Sequence, residues 1–184
     1  MSQKLLDAFK IVVKNDKSSI RRYLVLGAFD GLLVSLSIIV SSALAKTPIP
    51  KLIPLTLSGI VGVSLSSMWN TIVVELKEKE EELKELEKQM MRSLKGTVYD
   101  YSYKISVILS TIAHTLSPFI GLIPLLIYIL LKNVTLTIIL SAGSLSILGV
   151  FYEGEIKEKV FTIILMVVAG IIASLFSILI TTTL

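Results

Sequence analysis

Asp30 interrupts an apolar stretch, residues 23–45, that carries no other charge. A carboxylate near the centre of a bilayer costs about 3 kcal/mol on insertion scales, so it calls for a cation, a proton or a hydrogen-bonding partner. Glycines flank it in Gly27-Ala28-Phe29-Asp30-Gly31-Leu32, leaving the side chain accessible and allowing a second helix to come close. It reads as an ion site or as a hydrogen-bonded structural carboxyl. A polar patch follows in the next apolar stretch: Ser66, Ser67, Met68, Asn70 and Thr71. A thioether, an amide and hydroxyls together suit a borderline-to-soft cation, although Met68 alone is as consistent with packing. The sole histidine, His114, lies within a third apolar stretch among Ser110, Thr111, Thr115 and Ser117. There an imidazole can relay protons, ligate a metal or serve as a neutral hydrogen-bond donor. Finally, Glu75, Glu78, Glu82 and Glu85 recur at spacings of 3, 4 and 3, which places them on one helical face. Such a stripe can gather divalent cations. It can equally be the wet side of a solvated helix, with Glu75–Lys79 and Glu80–Lys84 as i,i+4 pairs and Leu76, Leu83, Leu86 and Met90 as a seam for a partner helix.

What must position these groups is a set of long apolar helices. The chain has 184 residues, 53% of them apolar, and a mean hydropathy of +0.82. That average fits a chain with 17% charged residues only because the charge is segregated. Residues 23–45, 52–74, 105–131, 133–152 and 160–184 lack Lys, Arg, Asp and Glu, apart from Asp30. Each reaches the length of about 20 residues that a helix needs to cross the hydrocarbon core. The expected class is therefore an all-α integral membrane protein with five transmembrane helices and a cytoplasmic helical extension between the second and third. Its lipid bilayer is its first partner.

Positive charge sets the expected orientation. Six Lys or Arg precede the first stretch, seven follow the second (Lys77 to Lys104) and two follow the fourth, whereas the opposite loops hold only Lys46, Lys51 and Lys132. The positive-inside rule then puts the N-terminus in the cytoplasm and the C-terminus outside or in a lumen. The net charge of +4 follows from that topology and does not point to nucleic acid. Four segments result: 1–22, a cytoplasmic amphipathic segment; 23–74, the first two spans; 75–103, a charged cytoplasmic helix with a re-entry segment; and 104–184, the last three spans. Residues 1–22 do not read as a secretory signal, since they hold Asp7 and Asp16 and no apolar core of adequate length. Prolines in Lys46-Thr47-Pro48-Ile49-Pro50-Lys51 are expected to stop both flanking helices, Gly96 to cap the charged helix, and Pro118 and Pro124 to kink the third span.

Cysteine is absent, which removes disulfides and thiolate metal sites. No Walker or Rossmann glycine pattern, His-Glu-x-x-His or nucleophile elbow occurs, so an enzyme is not expected and no resident cofactor is called for.

Three stretches together resemble the vacuolar iron transporter family, the Ccc-type divalent-metal transporters. They are the basic approach and Gly-x-x-Asp-Gly of residues 22–32, Ser67-Met68 near the end of the second span, and Gly121-Leu122-Ile123-Pro124-Leu125 in the third. The resemblance covers residues 20–184. It implies a homodimer that exchanges Fe²⁺ or Mn²⁺ for protons, with the ion path between first and second spans at the dimer interface. Asp30 would be the pathway carboxylate and Met68 the thioether beside it, and the residue reading adds Asn70 and His114 to the path and has Glu75, Glu78, Glu82 and Glu85 deliver metal. The chain departs from the family where a Gly-Glu pair usually follows that methionine; Thr71 and Ile72 stand there. The competing expectation is a non-transporting membrane scaffold that recruits a cytosolic partner through residues 75–95.

Overall fold

The computed structural model describes residues 2–152 and 154–183, and no strand occurs among them. Seven α-helices follow in order: α1 (Ser2–Asn15), α2 (Lys17–Leu44), α3 (Ile49–Met90), α4 (Val98–Leu116), α5 (Leu122–Leu131), α6 (Val134–Val150) and α7 (Ile156–Thr183). A 3₁₀ turn, Ser117–Gly121, joins α4 to α5. Among the described residues four units are long and apolar enough to cross a membrane: α2, α3, α4 through α5, and α7. The fifth expected span is shorter than foreseen. Asn133 accepts a hydrogen bond from Leu136 N–H at 3.1 Å and starts α6 late, and Phe151 caps it early, leaving 17 residues.

Several helix ends also differ from expectation. Pro50 does not stop α3 but sits in its first turn, where a missing N–H costs nothing. Gly96 is not the cap of the charged helix. That cap is Met91, left-handed at φ 51°, and Arg92 N–H donates back to Glu87 O at 3.2 Å. The charged helix does continue the second apolar stretch without a break, as one 42-residue helix. Pro118 lies in the 3₁₀ turn, so the expected kink appears there as a change of helix type.

At the centre is α2, which touches every other element. Val25 and Leu32 pack with Leu145 of α6 and Met166 of α7, and Ile39 packs with Leu52 of α3 and Leu125 of α5. The tightest approach is between α2 and the 3₁₀ turn. A Cβ on Gly31 would lie 2.6 Å from Pro118 Cα, and one on Gly121 would strike the Gly31 backbone. Only glycine allows two backbones this close. The close contact holds Asp30 beside the end of α4.

The rest of the surface is inverted relative to a water-soluble protein. Leu65, Trp69, Ile164, Ile171, Leu175 and Phe176 are exposed, while among the described residues sixteen polar or charged ones are buried, most of them Ser or Thr.

Candidate functional site

Asp30, Asn70 and His114 line one open groove between α2, α3 and α4, with Ser66, Ser67, Leu33, Val34 and Val63, and the groove encloses about 350 Å³. Three elements converge to make it. Val63, Ser66, Ser67 and Asn70 fall at i, i+3, i+4 and i+7 along α3 and so share one stripe. Asp30 is exposed into the groove and makes no hydrogen bond or ion pair among the described residues. Its carboxylate, the Asn70 amide and the serine hydroxyls offer oxygen donors, and His114 adds an imidazole nitrogen, a donor set that suits a divalent first-row cation.

Met68 does not line this groove. One residue past Ser67 it is turned about 100° around the helix, and it lies half-buried elsewhere. The structure therefore brings together three of the four expected pathway residues and leaves the thioether off.

The state of His114 follows from its neighbours. Thr71 Oγ1 donates its one hydrogen to Ser67 O at 2.8 Å, and it sits 2.6 Å from His114 Nδ1. With its proton committed to the carbonyl, the hydroxyl accepts from the ring, so Nδ1 carries the hydrogen. The Nε2 lone pair is then the basic nitrogen, and it is buried without a partner. Gly27 makes room for the ring, since a Cβ there would lie 2.8 Å from His114 Cδ2. Tyr23 packs against the imidazole at a 41° tilt with centroids 5.2 Å apart, and its hydroxyl lies near Glu75.

The four glutamates have different surroundings. Glu75 is 1% exposed, because α3 at that level still runs between α2 and α4. Glu78, Glu82 and Glu85 are exposed. Among the described residues no group of three or more His, Asp or Glu is placed to hold a metal ion. The expected Glu75–Lys79 pair gives way to a different one: Lys79 Nζ lies 2.9 Å from Glu82 and 3.5 Å from Asp16. The Glu80–Lys84 pair forms at 2.6 Å. Of the expected leucine seam, Leu76 and Leu83 line a groove against Tyr103 and Val107 of α4.

Tyr23 and Thr71 escaped the sequence reading as site residues, one as the edge of a span and the other as part of a polar patch. Serines at i, i+4 and i+8 along α4 (Ser102, Ser106, Ser110) were the unread signal for a polar helix face. No family model matches the chain, and no curated protein or solved structure matches it.

Proposed function

We propose that this protein is a secondary transporter that moves a divalent transition-metal ion, Fe²⁺ or Mn²⁺, out of the cytosol in exchange for protons. The observation that carries the reading is the groove: a carboxylate, an amide and an imidazole converge on one open cleft in otherwise apolar helices. A carboxylate that alternates between metal and proton couples the two flows without a nucleotide. The apolar outer surface and polar interior support a bilayer as the surrounding medium. At 1.5 Å per residue the 17-residue α6 spans about 26 Å, and we take it as the fifth crossing, with a tilted or locally thinned bilayer making up the difference. The N-terminus is cytoplasmic in this reading and the C-terminus outside or lumenal. The open side of the groove is where a second copy would close the ion path, as the resemblance to vacuolar iron transporters implies. Metal binding tests the site itself. Titration of detergent-solubilised protein with Mn²⁺ is expected to show saturable binding that Asp30→Asn weakens about tenfold or more, equivalent to 1.4 kcal/mol. Equal affinity in the two proteins would remove Asp30 from the site.

The scaffold reading has its own supporting observation in the Leu76–Leu83 groove. That groove is already partly covered by α4, which leaves less apolar surface for a partner.

A further inference from the structure

From Ser64 to Lys79 the buried face of α3 is polar. Along α3, Ser64, Ser67, Thr71, Glu75 and Lys79 are all buried, at steps of 3, 4, 4 and 4. Along α4, Ser102, Ser106 and Ser110 are buried at steps of 4. Two contacts fix the antiparallel register of the pair: Thr71 with His114, and Lys79 over the Tyr103 ring at 5.8 Å. That register puts Ser106 and Ser110 at about the level of Lys79 and Glu75. From α2, Tyr23 packs against His114 and lies near Glu75.

Four polar atoms of this seam are buried with no partner: Glu75 Oε2, Ser106 Oγ, Ser110 Oγ and His114 Nε2. Buried polar groups are almost always satisfied, by protein or by water. Orphans on one continuous seam, including a carboxylate that is 1% exposed, call for mobile hydrogen-bonding partners along it. A water needs two to four polar contacts to reside in such a place, and these two helix faces supply them.

We propose that the seam between α2, α3 and α4 is a hydrated proton path joining the Asp30 groove to the charged end of the protein, with Glu75 as the carboxyl that passes each proton. This rests on the transporter reading and gives protons a route separate from that of the metal. A proton released into the groove enters the seam through its water. It then moves through seam water and the Tyr23 hydroxyl to the Glu75 carboxylate. Each transfer leaves its donor as it was before the proton arrived, so charge is conserved. The mouth is the cluster of Lys79, Asp16 and Glu82, where Glu82 is half exposed and hands the proton to bulk water. The groups facing Glu75 are Tyr23 and Arg22 from α2 and Glu78 and Lys79 along α3. Tyr103 of α4 faces Lys79 rather than Glu75.

The test uses protein in liposomes with a trapped pH dye, recording Mn²⁺ flux and proton flux together for wild type, Glu75→Gln and Tyr23→Phe. Removing the relay carboxyl is expected to cut metal-driven proton flux by at least about tenfold, while Mn²⁺ affinity at the groove stays within about twofold. Tyr23→Phe, which keeps the ring and removes the hydroxyl, is expected to give a smaller loss and serves if Glu75→Gln does not fold. Wild-type proton flux in folded Glu75→Gln overturns the path. Loss of Mn²⁺ binding in Glu75→Gln also overturns it, assigning Glu75 to the metal. If wild type carries no metal, the transporter reading fails and an infrared measurement decides the seam alone. A carboxyl band that titrates with bath pH, persists in Asp30→Asn and vanishes in Glu75→Gln supports a hydrated path. The absence of such a band in wild type refutes it.

Discussion

Replacing Gly31 with alanine tests the contact that holds Asp30 in place. The added Cβ would lie 2.6 Å from Pro118 Cα, with the Pro118 carbonyl carbon at 2.7 Å, where carbon atoms normally rest about 3.5–4.0 Å apart. Relief requires a shift of about 1 Å. The opposing atoms are backbone, so no side-chain rotation can supply it, and the 3₁₀ turn must move away from α2. Overpacking of this kind costs about 1–3 kcal/mol, and a backbone clash belongs at the upper end. Glycine to alanine within a helix also gains about 1 kcal/mol of propensity, which would mask part of the loss. Gly62 supplies the control: it is helical, and a Cβ there meets nothing within 4 Å. The propensity gain is common to both variants, so the difference between Gly31→Ala and Gly62→Ala isolates the clash, about 1–3 kcal/mol. Reversible unfolding in mixed micelles, with both variants in the same detergent series, measures it. Gly31→Ala as stable as Gly62→Ala would refute the close contact and, with it, the placement of Asp30 beside α4.

Thr71→Val keeps the shape of the side chain and removes the acceptor that fixes the His114 tautomer. The buried Nδ1–H is left unpaired, a cost of about 1–3 kcal/mol, and the nitrogen-15 shifts of the ring are expected to show a mixture of tautomers where wild type shows one. At the loop before α4, outside the apolar stretch, Gly96 N–H donates to the Asp100 carboxylate at 3.0 Å. That bond, aided by Lys104 and Lys95 and opposed by partial burial, holds the Asp100 carboxyl below the usual carboxylate range. A depressed folded value contributes stability that is complete above the ordinary range and is lost as pH falls through the folded value. Asp100→Ala is accordingly expected to lower hydrogen-exchange protection at Gly96 at neutral pH, and the two proteins should converge in acid. Protection in the variant equal to wild type at neutral pH would contradict that account.

The helical class and the apolar stretches were legible because charge and hydropathy segregate so sharply along the chain. The unbroken passage of α3 into its charged end was legible for the same reason, since no helix breaker lies between Val74 and Met90. The length of α6 was not, because Asn133, counted with the apolar stretch, caps the helix instead of extending it. At the site, Asp30 stood out as a charge without local compensation. Asn70 and His114 were read as its company from their polarity within apolar stretches, while what brings them to it, the antiparallel pairing of α3 with α4 and the glycine contact of α2, is not written in local pattern. Met68 was placed with Asp30 by resemblance, and helix register turns it away from the groove. Glu75 was the hardest to read. In a run of Glu and Lys it looks solvated, yet it falls on the face of α3 that α2 and α4 cover. Burial there is decided by neighbouring helices, which local patterning does not encode.

The central claim is that metal and protons exchange through a site containing Asp30. The most direct measurement is Mn²⁺ uptake into proteoliposomes under an imposed pH gradient, with wild type and Asp30→Asn at matched orientation and amount. The account predicts gradient-driven uptake, with coupled proton movement, in wild type and its loss in Asp30→Asn. Equal uptake by the two proteins, or none by folded wild type with either Mn²⁺ or Fe²⁺, would contradict it.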